Sequence, residues 1–195
     1  MGEARHLASF NCNGDFICYL DCDDFWEKNY LELQINEFKK NKNISFCYVK
    51  TKIIYSNNKS NNFNNIFSFF KKKYLNPSLP SGMIFNKLIF KNFVPLSSAL
   101  IDKKKFITVG RFDKSLLQCE DYYLFLKLSK NYEVSSINQH LSNYRIHDHN
   151  LSNFQLDSDY EEVIYILRKF KKNSFIQIAL IFHFLKNLFR KIIIN

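Results

Sequence analysis

Residues 14–26 read Gly14-Asp15-Phe16-Ile17-Cys18-Tyr19-Leu20-Asp21-Cys22-Asp23-Asp24-Phe25-Trp26. The apolar run between Asp15 and Asp21 has the length and boundaries of a buried strand, and Asn13-Gly14 ahead of it reads as a turn. Asp21 to Asp24 then falls at the strand's C-terminal end. Tyr30, Leu31, Gln34, Ile35 and Phe38 follow at helical spacing between Trp26 and Lys40, with Asp24 placed to cap the helix and Lys39 and Lys40 suited to its C-terminus. Strand, acidic turn and helix make the repeating unit of an α/β domain. Ligands of open α/β sheets bind outside the C-terminal strand edges, so the acidic turn lies where a ligand is expected.

Outward from this unit, Ile44 to Val49 and Lys52 to Tyr55 read as strands and residues 56–62 as a polar loop. A short helix is expected from Ile66 to Tyr74, ending at Asn76-Pro77, before a loop through Pro80-Ser81-Gly82. Phe93 to Ile101 reads as strand, Lys103 to Val109 as a short helix closed by Gly110, and Glu120-Asp121 as the start of a helix with Leu124, Phe125 and Leu128 on its apolar face. Val134 to Ile137 and Leu141 to Ile146 read as strands. Tyr160, Val163, Ile164, Leu167 and Phe170 form one amphipathic helix, and Phe175 to Ile194 a more apolar one interrupted by His183, Lys186, Arg190 and Lys191. The expected fold is α/β, with residues 1–155 as a partial catalytic domain and residues 156–195 as a helical extension.

The 195 residues are 46% hydrophobic and 17% aromatic, which excludes a disordered chain. Lys and Arg total 28 against 18 Asp and Glu, a formal charge of +10 that favours anionic partners such as nucleotides or phospholipid headgroups. Nucleic acid binding has the charge but no recognisable motif, and is not expected. The five cysteines contain no C-x-x-C pair, so neither a disulfide framework nor a zinc site is indicated, and a cytoplasmic setting is expected. Neither glycine-rich phosphate loop occurs.

Three clusters carry chemistry. On an extended backbone Asp21 and Asp23 would project to one side, where hard oxygen ligands suit Mg2+ or Mn2+; alternatively Asp23 and Asp24 cap the next helix. A carboxylate of Glu120-Asp121 can take a proton from an attacking hydroxyl, or simply partner the helix dipole. In Tyr144-Arg145-Ile146-His147, Arg145 and His147 share one strand face, suited to phosphate contact or to a third metal ligand.

These elements, in order, resemble a family 2 glycosyltransferase with the GT-A fold. The resemblance runs from Gly2-Glu3-Ala4-Arg5 through the acidic turn, Ser97 to Ile101, Val109 to Asp113, Glu120-Asp121-Tyr122, Leu124 to Leu128 and Tyr144 to His147. It implies a GT-A-like, Rossmann-like mixed sheet flanked by helices. It further implies metal at Asp21 and Asp23 on the diphosphate of a nucleotide-sugar donor, Asp121 as general base supported by Glu120, and inverting transfer to a glycan or lipid-linked acceptor. Departures fall at His6, where the family usually has Asn, at Arg111 in place of a second Gly, and at Tyr123, Phe125 and Lys127.

The family's nucleoside-binding strands precede the Gly2–Arg5 motif, so an N-terminally truncated enzyme of poor turnover is expected. The competing expectation is a non-catalytic remnant that binds a membrane or a partner. The last helix is expected to attach to an anionic membrane surface on its cytoplasmic face.

Overall fold

In the computed structural model the described residues are 2–55, 79–146 and 156–194. Ile44 to Val49 are all buried, a run apolar enough to be covered on both faces, and they begin the central strand β3 (Ile44–Tyr55). With β1 (Phe16–Cys18), β2 (Phe25–Trp26), β4 (Ala99–Asp102) and β5 (Glu133–Ile146) it forms one mixed sheet in the order β1-β4-β3-β5-β2. β3 and β5 are parallel and the other pairs antiparallel, so β1, β3 and β5 end at the same edge.

Alternation along β3 sends side chains to two separate cores. On one face α2 (Tyr30–Lys40) lays Phe38 against Ile44, Cys47 and Leu100, and Tyr30 against Val49 and Leu141. Phe46 and Tyr48 enter the larger core beneath α3 (Phe85–Leu88), α4 (Lys103–Thr108) and α5 (Glu120–Asn131). There the rings of Phe46 and Phe125 lie 4.8 Å apart. The expected apolar face of α5, Leu124, Phe125 and Leu128, is fully buried. Two further helices, α6 (Leu156–Arg168) and α7 (Ile176–Ile194), close this core through Ile166, Leu167, Ile176 and Ala179.

The architecture is the mixed sheet flanked by helices that the sequence implies, with local differences. β3 and β5 are each continuous where two short strands were expected; register shifts around Val49, Lys50 and Thr51 carry the ladder across the polar residues. Trp26 does not begin the helix. It pairs with Ser142 in the sheet and stacks on Tyr30 with ring centroids 4.3 Å apart. Asp24 does not cap α2 either, since Asn29 occupies the cap position without a side-chain bond. Before β4 there is a single 3-10 turn, Leu96–Ser98, following Pro95. A helix at the start, α1 (Gly2–Asn11), is additional to the sequence reading. The expected polar loop 56–62, the helix 66–74 and His147 lie outside the described residues.

Because Phe125 is fully buried between β3 and the helices, Phe125→Ala should destabilise the fold by about 4 kcal/mol, transfer and cavity effects together, seen as a lower denaturant midpoint.

Candidate functional site

α1 carries Arg5 to the edge of the sheet at which β1 ends. Its guanidinium donates to Asp21 Oδ1 and to Glu120 Oε1, each at 2.8 Å. One cation thus joins the acidic turn after β1 to the N-terminus of α5, across 115 residues of sequence. Glu120 is 1% exposed, whereas the Asp21 side chain is 44% exposed and open to a ligand. Glu120 Oε2 is buried with no hydrogen-bond partner among the described residues. Asp121 follows it on α5. Burial, then the neighbouring Glu120 charge, push its carboxyl up to about 7, against the lowering effect of Arg5 and of the Tyr122 N–H that it accepts at 2.6 Å.

The acidic segment is a turn, not an extended strand end: Asp24 N donates to Asp21 O at 3.0 Å. The same-side argument for Asp21 and Asp23 therefore does not hold, and their proximity comes from the turn. Arg145 secures it from β5, its backbone N–H donating to Asp24 Oδ1 and its Nε to Asp23 O, both at 3.1 Å. Its Nε is thus engaged with the turn itself. Burial raises the pKa of Asp24, whose Oδ2 is buried without a partner. His147, the expected third ligand, lies outside the described residues.

Asp21, Asp23 and the unpartnered Asp24 oxygen make an all-oxygen donor set, which fits a hard divalent cation. No group of three or more His, Cys, Asp or Glu side chains disposed to hold a metal occurs among the described residues. Such a cation would therefore need phosphate oxygens of a substrate to complete its shell, the usual arrangement for Mg2+.

Arg5, Glu120 and Asp121 line a cavity of about 540 Å³ whose other walls come from the loop before α5, from α6 and from α7. Glu162 of α6 accepts from the backbone N–H groups of Leu117 at 2.7 Å, Gln118 at 3.1 Å and Cys119 at 2.8 Å, fixing the loop that leads into Glu120. From α7, Lys186, Asn187 and Arg190 face the cavity. His183 points inward, its Nε2 2.9 Å from Ile89 O, and burial lowers its pKa. Sequence reading set His183, Lys186 and Arg190 among the interruptions of an apolar helix without placing them at the site. Their spacing of three and four, 183-186-190, was the available signal of one shared face. Arg5 was visible only as a motif residue, with no role attached.

α1 is itself held in place by Arg111, at φ 58. The family's second Gly would adopt this backbone freely, but here the guanidinium lies 3.9 Å from the Phe10 ring centre and donates to Ser9 O at 3.1 Å. The strained backbone is retained by a side chain that fastens the Arg5 helix.

Residues 1–188 match the family described as Glycosyltransferase like family 2. The chain is 33% identical over 135 residues to the Escherichia coli UDP-Glc:alpha-D-GlcNAc-diphosphoundecaprenol beta-1,3-glucosyltransferase WfgD, covering 69% of this chain and 46% of that protein. It is 30% identical over 157 residues to Escherichia coli chondroitin synthase, covering 80% of this chain and 21% of that protein. The chain thus spans less than half the length of either relative. Among solved structures, S. aureus TarS aligns with a TM-score of 0.59 at 15% identity, over 86% of this chain and 27% of that one. The mannosyltransferase PcManGT from Pyrobaculum calidifontis, in complex with GDP-Man and Mn2+, aligns at 0.55 and 9% identity, over 94% of this chain and 52% of that one. These structural likenesses concern the fold.

If the Arg5 charge holds the Asp121 carboxyl below the value burial alone would give, Arg5→Gln should move its titration above about 7. Carbon-13 NMR of labelled aspartate reads this directly, and an unmoved or lowered midpoint would contradict the arrangement.

Proposed function

Because the chain belongs to glycosyltransferase family 2, we propose that it forms the acceptor side of an enzyme transferring a sugar from a nucleotide-sugar to a glycan or lipid-linked acceptor in polysaccharide biosynthesis. The observation that carries this reading is the Arg5 bridge. It sets a solvent-accessible acidic turn beside a buried acidic pair at the mouth of one cavity.

Asp121 accepts the proton of the acceptor hydroxyl, a task for which a carboxyl raised to about 7 is better matched than an ordinary one. The freed oxygen attacks the anomeric carbon opposite the leaving nucleoside diphosphate, the sugar–phosphate bond breaks, and the configuration inverts. Arg5 keeps Glu120 ionised and aligned beside the base while placing positive charge next to the acidic turn. Mg2+ or Mn2+ held by Asp21 and Asp23 would supply charge stabilisation to the leaving phosphates. No covalent enzyme intermediate is needed. Arg145 serves by fixing the turn that presents Asp21 and Asp23.

Release of nucleoside diphosphate from nucleotide-sugars, followed with acceptor present, tests the reading. Asp121→Asn should lower turnover about a thousandfold with donor affinity little changed. The wild-type rate should rise with pH through about 7, because the base acts only when deprotonated. A flat profile across that range, or an active Asp121→Asn enzyme, would remove Asp121 from the role.

α7 supports peripheral membrane attachment. Ile176, Ala179 and His183 face the core, while Ile181 at 61% and Phe189 at 64% exposure stand with Ile178, Phe184 and Leu188 on the outside. Lys191 lies at the helix end, suited to anionic headgroups. No helix among the described residues is long and apolar enough to cross a membrane. Phe184→Ser with Phe189→Ser should reduce co-sedimentation with anionic liposomes several-fold and leave the far-UV spectrum intact.

A further inference from the structure

The α7 wall of the cavity differs in chemistry from the α5 wall. On the α5 side the charges answer one another, Arg5 being bound to Asp21 and Glu120. On the α7 side Lys186 makes no ion pair or hydrogen bond among the described residues, and its neighbouring charge is the cation Arg190, which with burial lowers its pKa. Arg190 also stands near Asp159, the one carboxylate of α6 that lines the cavity. Lys91 adds a further cation to the lining. Between them Asn187 has a side-chain oxygen that is buried yet unpartnered. Two adjacent cations and an orphaned polar atom, all facing the same space, describe a site for an anion that also carries hydroxyl groups.

The opposite side of the same stretch of α7 supplies the other half of the ligand. Leu185, Leu188 and Phe189 are exposed there, interleaved in sequence with Lys186, Asn187 and Arg190. A helix is about 10 Å across, so an apolar surface and a cationic cavity wall lie within the reach of a single molecule. A soluble sugar would use only the cavity; a bilayer phospholipid would use only the outer face. We infer that the α7 wall is a subsite for a lipid-borne glycosyl diphosphate, with Lys186 and Arg190 on the diphosphate, Asn187 on a sugar hydroxyl, and the lipid against the outer face of α7.

The inference rests on the sugar-transfer reading and narrows its acceptor. The sugar attached to such a diphosphate points away from α7 toward Asp121, which lines the same cavity.

The test is co-sedimentation with phosphatidylcholine vesicles carrying a polyprenyl diphosphate, the corresponding polyprenol, or phosphatidylglycerol matched in surface charge. The protein should partition about tenfold better to the diphosphate vesicles than to either control, as expected for a pair of charge-assisted contacts. Lys186→Gln, a change at an exposed residue, and its combination with Arg190→Gln should remove that preference while leaving the weaker binding to phosphatidylglycerol. Inorganic pyrophosphate titrated alone should bind at least tenfold more weakly than the lipid form. Equal partitioning to diphosphate and phosphatidylglycerol vesicles would overturn the inference, as would a preference unchanged in the double variant or pyrophosphate binding as tightly as the lipid. Loss of preference with Asp121-dependent turnover intact would sink this subsite alone. A retained preference without any turnover would sink the transfer reading instead.

Discussion

A carboxylate 99% removed from solvent cannot stay ionised without a partner, and for Glu120 that partner is Arg5. The rest of the site is arranged around this requirement. Arg5 must come from α1, so α1 is tied down, by Tyr19 donating to Arg5 O at 3.4 Å and by Arg111 at its other end. Its second hand reaches Asp21, so the acidic turn is drawn to the same point. α1, the turn after β1 and the start of α5, separate in sequence, are brought together by one planar cation with five donors.

The same packing sets different carboxylates to different purposes. Asp113, in the loop before α5, is partly buried, yet Ser115 and Lys169 hold its carboxyl down at about 2. Asp121, at a helix N-terminus where the dipole favours the anion, is driven the other way because burial and Glu120 outweigh that dipole and Arg5 together. Position on a helix alone would have ordered these two acids incorrectly. Lys127 shows the complementary case: burial lowers its pKa to about 8 while it donates to Arg111 O at 2.6 Å, supporting the left-handed residue that fastens α1.

Much of this was legible in the sequence because it rests on local pattern. The apolar run before Asp21, the helical spacing after Glu120 and the Gly110 stop, at φ 85, need only neighbours to be read. Asp21 and Glu120 stood out as acids, and the order of motifs placed them in one family. What sequence did not disclose depends on pairing at a distance. Asp24 looks like a helix cap until β5 supplies the Arg145 N–H, and Trp26 looks helical until Ser142 lies opposite it. The cavity wall on α7 was hidden in the same way. Its polar residues read as interruptions in an apolar helix, and only the seating of Ile176, Ala179 and His183 shows which way they turn.

Glu162 spends both carboxylate oxygens on three successive backbone N–H groups, at Leu117, Gln118 and Cys119. No side chain of that loop is recognised, so the loop sequence is free to vary while α6 and the start of α5 are inherited as a fixed pair. Grafting the C-terminal helices of a relative onto this sheet would therefore transplant more than acceptor preference. A donor lacking an acid at the position of Glu162 would leave three amides without acceptors one residue before Glu120, and a swap meant to change specificity would instead loosen the catalytic end of α5.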